Sequence, residues 1–162
     1  MCSQYPHECP CGYYGDDEHH CNCAAGEIRR YLRKISGPLL DRIDLHVGVT
    51  RPRYTELVST DKEESSAVIR SRVMEARERQ SERLRVYGIA TNSQMGHRHL
   101  RATCHLTREA DRLLESVFSR LHLSARAYDK LIKVARTIAD LEKLDTIGEE
   151  HIAEAVSYRS KE

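Results

Sequence analysis

The chain has 162 residues, 31% charged and 40% hydrophobic, which suits one ordinary domain or one small domain with an appendage. Twenty-six Lys and Arg against 25 Asp and Glu leave a net charge of +1, so no global field draws a nucleic acid, an acidic protein or a membrane, and any anionic partner must be met locally. The start, MCSQYPHE, has no basic stretch leading into an apolar one, and no later run has the roughly 20 apolar residues that a bilayer crossing needs, so the expectation is a cytoplasmic protein with no membrane partner.

The first distinctive stretch is CPCGYYGDDEHHCNC, Cys9 to Cys23, with two C-x-C pairs nine residues apart. In a reducing compartment such a cluster predicts a metal site rather than disulfides. Cys9, Cys11, Cys21 and Cys23 supply the four soft ligands of a closed tetrahedral zinc site, and Gly12 and Gly15 let the loop turn between the pairs. C-x-C is tighter than the common C-x2-C knuckle, which leaves His7, His19 and His20 as substitutes and reduced thiols as the alternative. An iron–sulfur cluster would use the same ligands, but nothing else in the chain points to redox work. With every position filled by protein, such a site is a staple and not a catalyst. Cys2 and Cys104 lie outside the cluster and read as free thiols.

Helical periodicity begins with GEIRRYLRKI, and DLHVGV follows at Asp44–Val49. There Leu45, Val47 and Val49 alternate with Asp44, His46 and Gly48, the period of a half-buried strand. A lone strand cannot satisfy its own backbone groups, so this one is expected to be loosely held and to come from a larger sheet.

From about Thr60 the pattern is helical. Thr60 and Glu63 have capping-box spacing, and Ile69, Val73, Ala76 and Leu84 form a narrow apolar stripe among alternating Arg and Glu, which reads as a solvated face rather than a phosphate-binding one. VYGIATNSQMGH is a loop. Thr107 caps a helix with Ala110, Leu113, Leu114, Val117, Phe118 and Leu121 as its core stripe. Ser124 caps another with Leu131, Val134, Ala135 and Ile138 inward, and Thr146 with Glu149 opens a last one with Ile152, Ala155 and Val156 inward. The sum is a helical bundle over about residues 60–160, ordered by itself, preceded by an appendage over 1–50.

Taken together, CPCGYYGD…CNC, RYLRKISGPLLDRIDLHVGV, ESSAVIRSRVMEARERQ and LSARAYDKLIKVARTIADLE closely resemble the C-terminal part of magnesium-chelatase-like AAA+ ATPases of the ComM/YifB type. The resemblance implies a mainly α chain: a C-terminal helical lid bundle preceded by a short remnant of the α/β core, made of the Cys-rich loop, one helix and one strand. It also implies ATP and magnesium as cofactors of the full-length protein, a homo-oligomeric ring of ATPase subunits as partner, and a role in DNA branch migration during natural transformation. The match starts at Cys9. Where the family has an Asn-Pro step, this chain has His7 and Glu8, and it contains no G-x-x-x-x-G-K-[ST]. The expectation is a truncated or late-started copy that cannot hydrolyse ATP alone.

By the same resemblance, Arg42 in GPLLDRIDL matches the arginine finger that reaches a neighbouring subunit's nucleotide. Arg126 in LSARAY matches the lid's sensor arginine toward the ATP phosphates. An arginine's planar fork suits charge developing on a transferred phosphoryl group, and a helix start favours anions. The plainer alternatives are a surface pair of Arg42 with Asp41 or Asp44, and an exposed helix-start Arg126. Against the partial ATPase stands a non-enzymatic module in which a zinc loop and a basic bundle dock on a protein ring or on DNA; nucleotide binding separates the two. A decayed gene product is a third possibility.

Overall fold

The computed structural model describes residues 9–14, 19–34, 42–48, 58 and 64–159. The chain divides into two units, 1–43 with 48–57 and 44–47 with 58–162. Among the described residues the architecture is helical, as expected, with α1 Ala25–Leu32 in the first unit. The second unit holds α2 Ser66–Leu84, α3 His97–Thr103, α4 Arg108–Arg120, α5 Ala125–Leu141 and α6 Glu149–Ser157, with short 3₁₀ turns at Arg85–Tyr87 and Asn92–Gln94.

In the first unit, Cys9 opens a turn closed by the Gly12 N–H donating to the Cys9 carbonyl at 3.2 Å. Gly12 has φ +84°, a conformation that a side chain disfavours, so glycine is required there. Gly15 lies outside the described residues. Downstream, Ala24 caps α1, and its N–H donates to the Glu27 carboxylate at 2.9 Å, the return half of a capping box.

In the second unit, side-chain caps fix where helices begin. The hydroxyls of Thr107 and Ser124 accept from the Ala110 and Ala127 N–H groups at 3.2 and 3.1 Å, as their sequence positions predict. Thr60 and Glu63 lie outside the described residues; the described start of α2 is capped by Ser65, whose hydroxyl accepts from the Val68 N–H at 3.4 Å. The expected Thr146–Glu149 box is not formed. Gly148 caps α6 instead, and its N–H donates to Nδ1 of His151 at 2.6 Å, the imidazole acting as Glu or Gln does in a capping box. His99 does the same for Gly96 at the start of α3, a helix that falls in and beyond the expected loop.

Helices α5 and α6 pack on each other, α4 packs on α6 and α2 on α5. Their shared core is Leu84, Met95, Leu100, Cys104, Ala110, Leu114, Leu131, Ile132, Ala135, Ile138, Ile147, Ile152 and Ala155. Two expected stripes run further than the core does. Ile69 and Val73 on α2, Phe118 on α4 and Leu121 at its C-cap are exposed, because α2 buries only Ala76, Gln80 and Leu84 and α4 only Ala110 and Leu114. The Phe118 ring still meets Tyr128 edge-on at 6.0 Å.

The expected strand at Asp44–Val49 is not one over its described part. Residues 44–48 are irregular and have no strand partner among the described residues; the His46 N–H instead donates to the Tyr158 carbonyl at 2.7 Å, and Val49 lies outside them. The one described β contact is an isolated bridge between Leu106 and Ile147, which ties the start of α4 to the start of α6.

A polar cluster that the sequence did not announce sits between α2, the Asn92 turn and α5. Asp140 is 1% exposed and takes both ends of the Arg83 guanidinium at 2.7 Å. It also accepts from Asn92 at 2.9 Å and lies 3.2 Å from Arg136, which is fully buried. Arg136 donates onward to the Leu144 and Asp145 carbonyls, so the α5–α6 turn hangs from it. Buried charges of this kind are tolerated because each finds a partner.

Candidate metal centre and arginine sites

The four clustered thiols converge as the spacing predicts. Cys9 and Cys11 are brought together by the Cys9–Gly12 turn, and Cys21 and Cys23 lie on the extended run that enters α1. The Sγ atoms of Cys9 and Cys11 are 3.3 Å apart, those of Cys11 and Cys21 3.5 Å, and those of Cys21 and Cys9 3.7 Å. All four ligand atoms lie within 4.8 Å of one another. A Zn–S bond of about 2.3 Å implies tetrahedral S–S edges of about 3.8 Å, so the donor set is close to the size that a zinc ion requires. No histidine is needed to complete it. His19 stacks on Tyr13 instead, ring centroids 4.9 Å apart, and His7 lies outside the described residues.

The electrostatics show four thiols that perturb one another. The Tyr13 backbone N–H draws the Cys11 thiol down to about 6, aided by the neighbouring sulfurs. The Cys11 amide also favours a Cys23 thiolate, but the adjacent sulfurs and the loss of water outweigh it and push that thiol up to about 12. Cys9 is lowered and Cys21 raised, the first despite its burial and the second despite the Cys23 amide. Four thiols this close cannot all become anions together unless a cation shares the space. The set therefore fits a soft divalent metal, held by Cys9, Cys11, Cys21 and Cys23 with no position open to a substrate. Cys104 is different: it is buried in the bundle core, which pushes its thiol up.

The two candidate arginines belong to different units of the chain. Arg42 belongs to the first unit and is exposed; the Asp44 carboxylate is taken by Lys130 at 2.8 Å. Arg126 stands in the first turn of α5, two residues after the Ser124 cap, with its side chain exposed to solvent. A cation there opposes the helix dipole, a placement without intramolecular benefit.

Family matches cover both parts of the chain and begin at residue 5, ahead of the Cys9 start expected from the sequence. Residues 63–159 match the family described as magnesium chelatase, subunit ChlI C-terminal, and residues 5–57 match magnesium chelatase, subunit ChlI. An uncharacterized protein YifB from Escherichia coli is 41% identical over 152 residues, and one from Salmonella typhimurium is 40% identical over the same length. Competence protein ComM from Haemophilus influenzae is 37% identical. Each alignment covers 93% of this chain, which spans 29% of the length of these relatives.

Proposed function

We propose, from the premise that this chain belongs to the magnesium chelatase ChlI family in its ComM/YifB branch, that it supplies lid, arginine finger and sensor to an ATP-driven ring whose phosphate-binding loop is carried elsewhere. In this reading Arg42 reaches in trans to the nucleotide of a neighbouring subunit, and Arg126 contacts the phosphates bound under its own lid. The observation that carries it is Arg126: an exposed guanidinium on the first turn of a Ser-capped helix, in a chain without G-x-x-x-x-G-K-[ST].

The chemistry asked of these residues is electrostatic. Charge spreads over the equatorial oxygens of a transferring phosphoryl group, and an arginine fork meets two of them at once. The N–H groups at the start of α5 add partial positive charge beside Arg126. ATP with magnesium would be bound mainly by the segment that carries the phosphate-binding loop. The work driven by the ring is DNA branch migration in the cytoplasm, an assignment that rests on kinship with a competence protein. The four-cysteine centre holds zinc as a staple that fixes the entry to α1, and when bound the ion supplies folding energy without reacting.

A chimera tests this directly. The matching C-terminal segment of Escherichia coli YifB is replaced by this chain, and ATP binding and hydrolysis are measured. Arg42→Ala should leave ATP binding intact and lower kcat by about 10³ or more, the usual worth of a finger. Arg126→Ala should weaken both. A chimera that hydrolyses ATP equally well with and without Arg42 rejects the finger. One that folds as a ring but ignores ATP favours a non-enzymatic module docking on a protein ring or DNA.

A further inference from the structure

We infer that Asp44 and Lys130 are positioning residues, whose ion pair ties the segment following Arg42 to the helix that carries Arg126. Residues 44–47 belong to the second unit, although the chain up to Ile43 belongs to the first. There the Asp44 carboxylate meets Nζ of Lys130 at 2.8 Å, and the His46 N–H donates to the Tyr158 carbonyl at 2.7 Å. Lys130 lies one turn after Arg126 on α5, and Tyr158 is the C-cap of α6. Asp44 comes two residues after Arg42, so covalent geometry alone keeps their Cα atoms within about 7 Å.

Polar contacts carry this attachment, and apolar burial adds little to it. Asp44 and His46 reach the bundle, whereas Leu45 is 49% and Val47 65% exposed. A segment with few buried apolar contacts sits at the low end of local stability, so a single ion pair has a measurable share in holding it. The pair is also asymmetric. The Lys130 side chain is 17% exposed and that of Asp44 63%. The lysine is therefore fixed on the bundle, and the aspartate is the half that can leave. A pair with one partner this exposed shifts an equilibrium by up to about fivefold and is weakened by salt, which suits a contact that is made and broken.

The charges along α5 show how Lys130 is used. At 100° per residue, Arg126, Lys130 and Lys133 fall within about 60° of the circumference, so three cations share one face. Two of them are committed inside the second unit. Lys133 donates to the Ser93 carbonyl at 3.1 Å and Lys130 is held by Asp44, which leaves Arg126 as the exposed cation of the three. One turn of the helix thus presents a guanidinium to an anion, and the next turn holds the backbone beside Arg42. Helix α5 is rigid enough to link the two, because Ala127, Leu131, Ile132 and Ala135 on its inner side are buried in the bundle. A shift of the lid that carries Arg126 toward a phosphate also moves the anchor of the segment next to Arg42.

The contact stands on its own geometry, while its effect on hydrolysis rests on Arg42 as the finger and Arg126 as the sensor, so the two are tested apart. On the whole chain, amide exchange of His46 is measured by NMR. Lys130→Gln should speed it about fivefold; salt at about 1 M should speed the wild type by a similar factor and leave Lys130→Gln unchanged. The reversed pair, Asp44→Lys with Lys130→Glu, should slow exchange again, which separates loss of the pair from damage to α5. Exchange that Lys130→Gln leaves unchanged, or that the reversed pair does not slow, overturns the tether. In the YifB chimera, Lys130→Gln and Asp44→Asn should each lower kcat about fivefold with KM for ATP unchanged, and the reversed pair should recover the loss. If Arg42→Ala has its full effect while these variants leave kcat intact, the positioning role is rejected and the finger stands. If Arg42→Ala has no effect, the finger falls and the positioning role falls with it, whatever the exchange rates show. If Asp44→Asn lowers KM instead, the freed Lys130 binds phosphate and the positioning role is rejected.

Discussion

Asp140→Asn is the sharpest perturbation of the bundle. It keeps the shape and removes the carboxylate that Arg83 and Arg136 share, the second fully buried and 3.2 Å away. Breaking a buried charge cluster by deleting one partner costs about 3–5 kcal/mol, because what remains is an uncompensated buried cation. The amide can still accept from one Arg83 donor, so we expect the lower end, about 3 kcal/mol. Against a domain stability of about 5–15 kcal/mol this is a large share, and it corresponds to a Tm lower by about 12 °C or more. Urea unfolding followed by circular dichroism measures it. Asp145→Asn is the control: its side chain is 93% exposed in its pair with Arg79, and the change should cost under about 0.5 kcal/mol. A loss below about 1 kcal/mol for Asp140→Asn, or equal losses for the two variants, would refute the assignment of the cluster as the clasp between α2 and α5.

Four further outcomes follow from local geometry. His151→Ala should cost about 2 kcal/mol, since it removes both the Gly148 cap partner and a buried ring, and His151→Gln should recover part of that by keeping a capping-box acceptor, both read by thermal unfolding. His122→Gly should stabilise by about 0.5 kcal/mol in urea, because His122 holds φ +47° after α4; a loss would show that its ring makes contacts worth more than the strain. The Glu75 carboxyl is lowered by its hydrogen bond and charge pairing with Lys143, so the stability it contributes is present above its unfolded titration and lost as pH falls through the lower folded value. Glu75→Gln should therefore flatten the acid limb of a stability–pH curve. Cys104, buried and with its thiol raised, should resist iodoacetamide at pH 8 until urea unfolds the bundle.

Local chemistry was readable from the sequence and long-range chemistry was not. Thr107 and Ser124 announce their helices because a cap needs only its own next three residues. The four cysteines announce their convergence because two C-x-C pairs on one short loop can meet without help from distant residues. Thr146 misled because Gly148 offers a cap two residues later and His151 completes it, a residue type that capping rules do not favour. The 3.6 period continues in α2 and α4 past the end of the core, so period alone placed Ile69, Val73, Phe118 and Leu121 inside. Asp140 meets partners 57 and 48 residues away in Arg83 and Asn92, a pairing that no local pattern encodes.

Whether Arg42 acts across a subunit boundary is settled most directly by complementation. Two chimeras with the YifB nucleotide-binding segment are prepared, one lacking Arg42 and one lacking the lysine of the phosphate-binding loop, and ATP hydrolysis is measured alone and mixed. Each should be inactive by itself, and mixing should restore hydrolysis as intact sites form between unlike subunits. Two proteins that assemble together and remain inactive would contradict a finger supplied in trans.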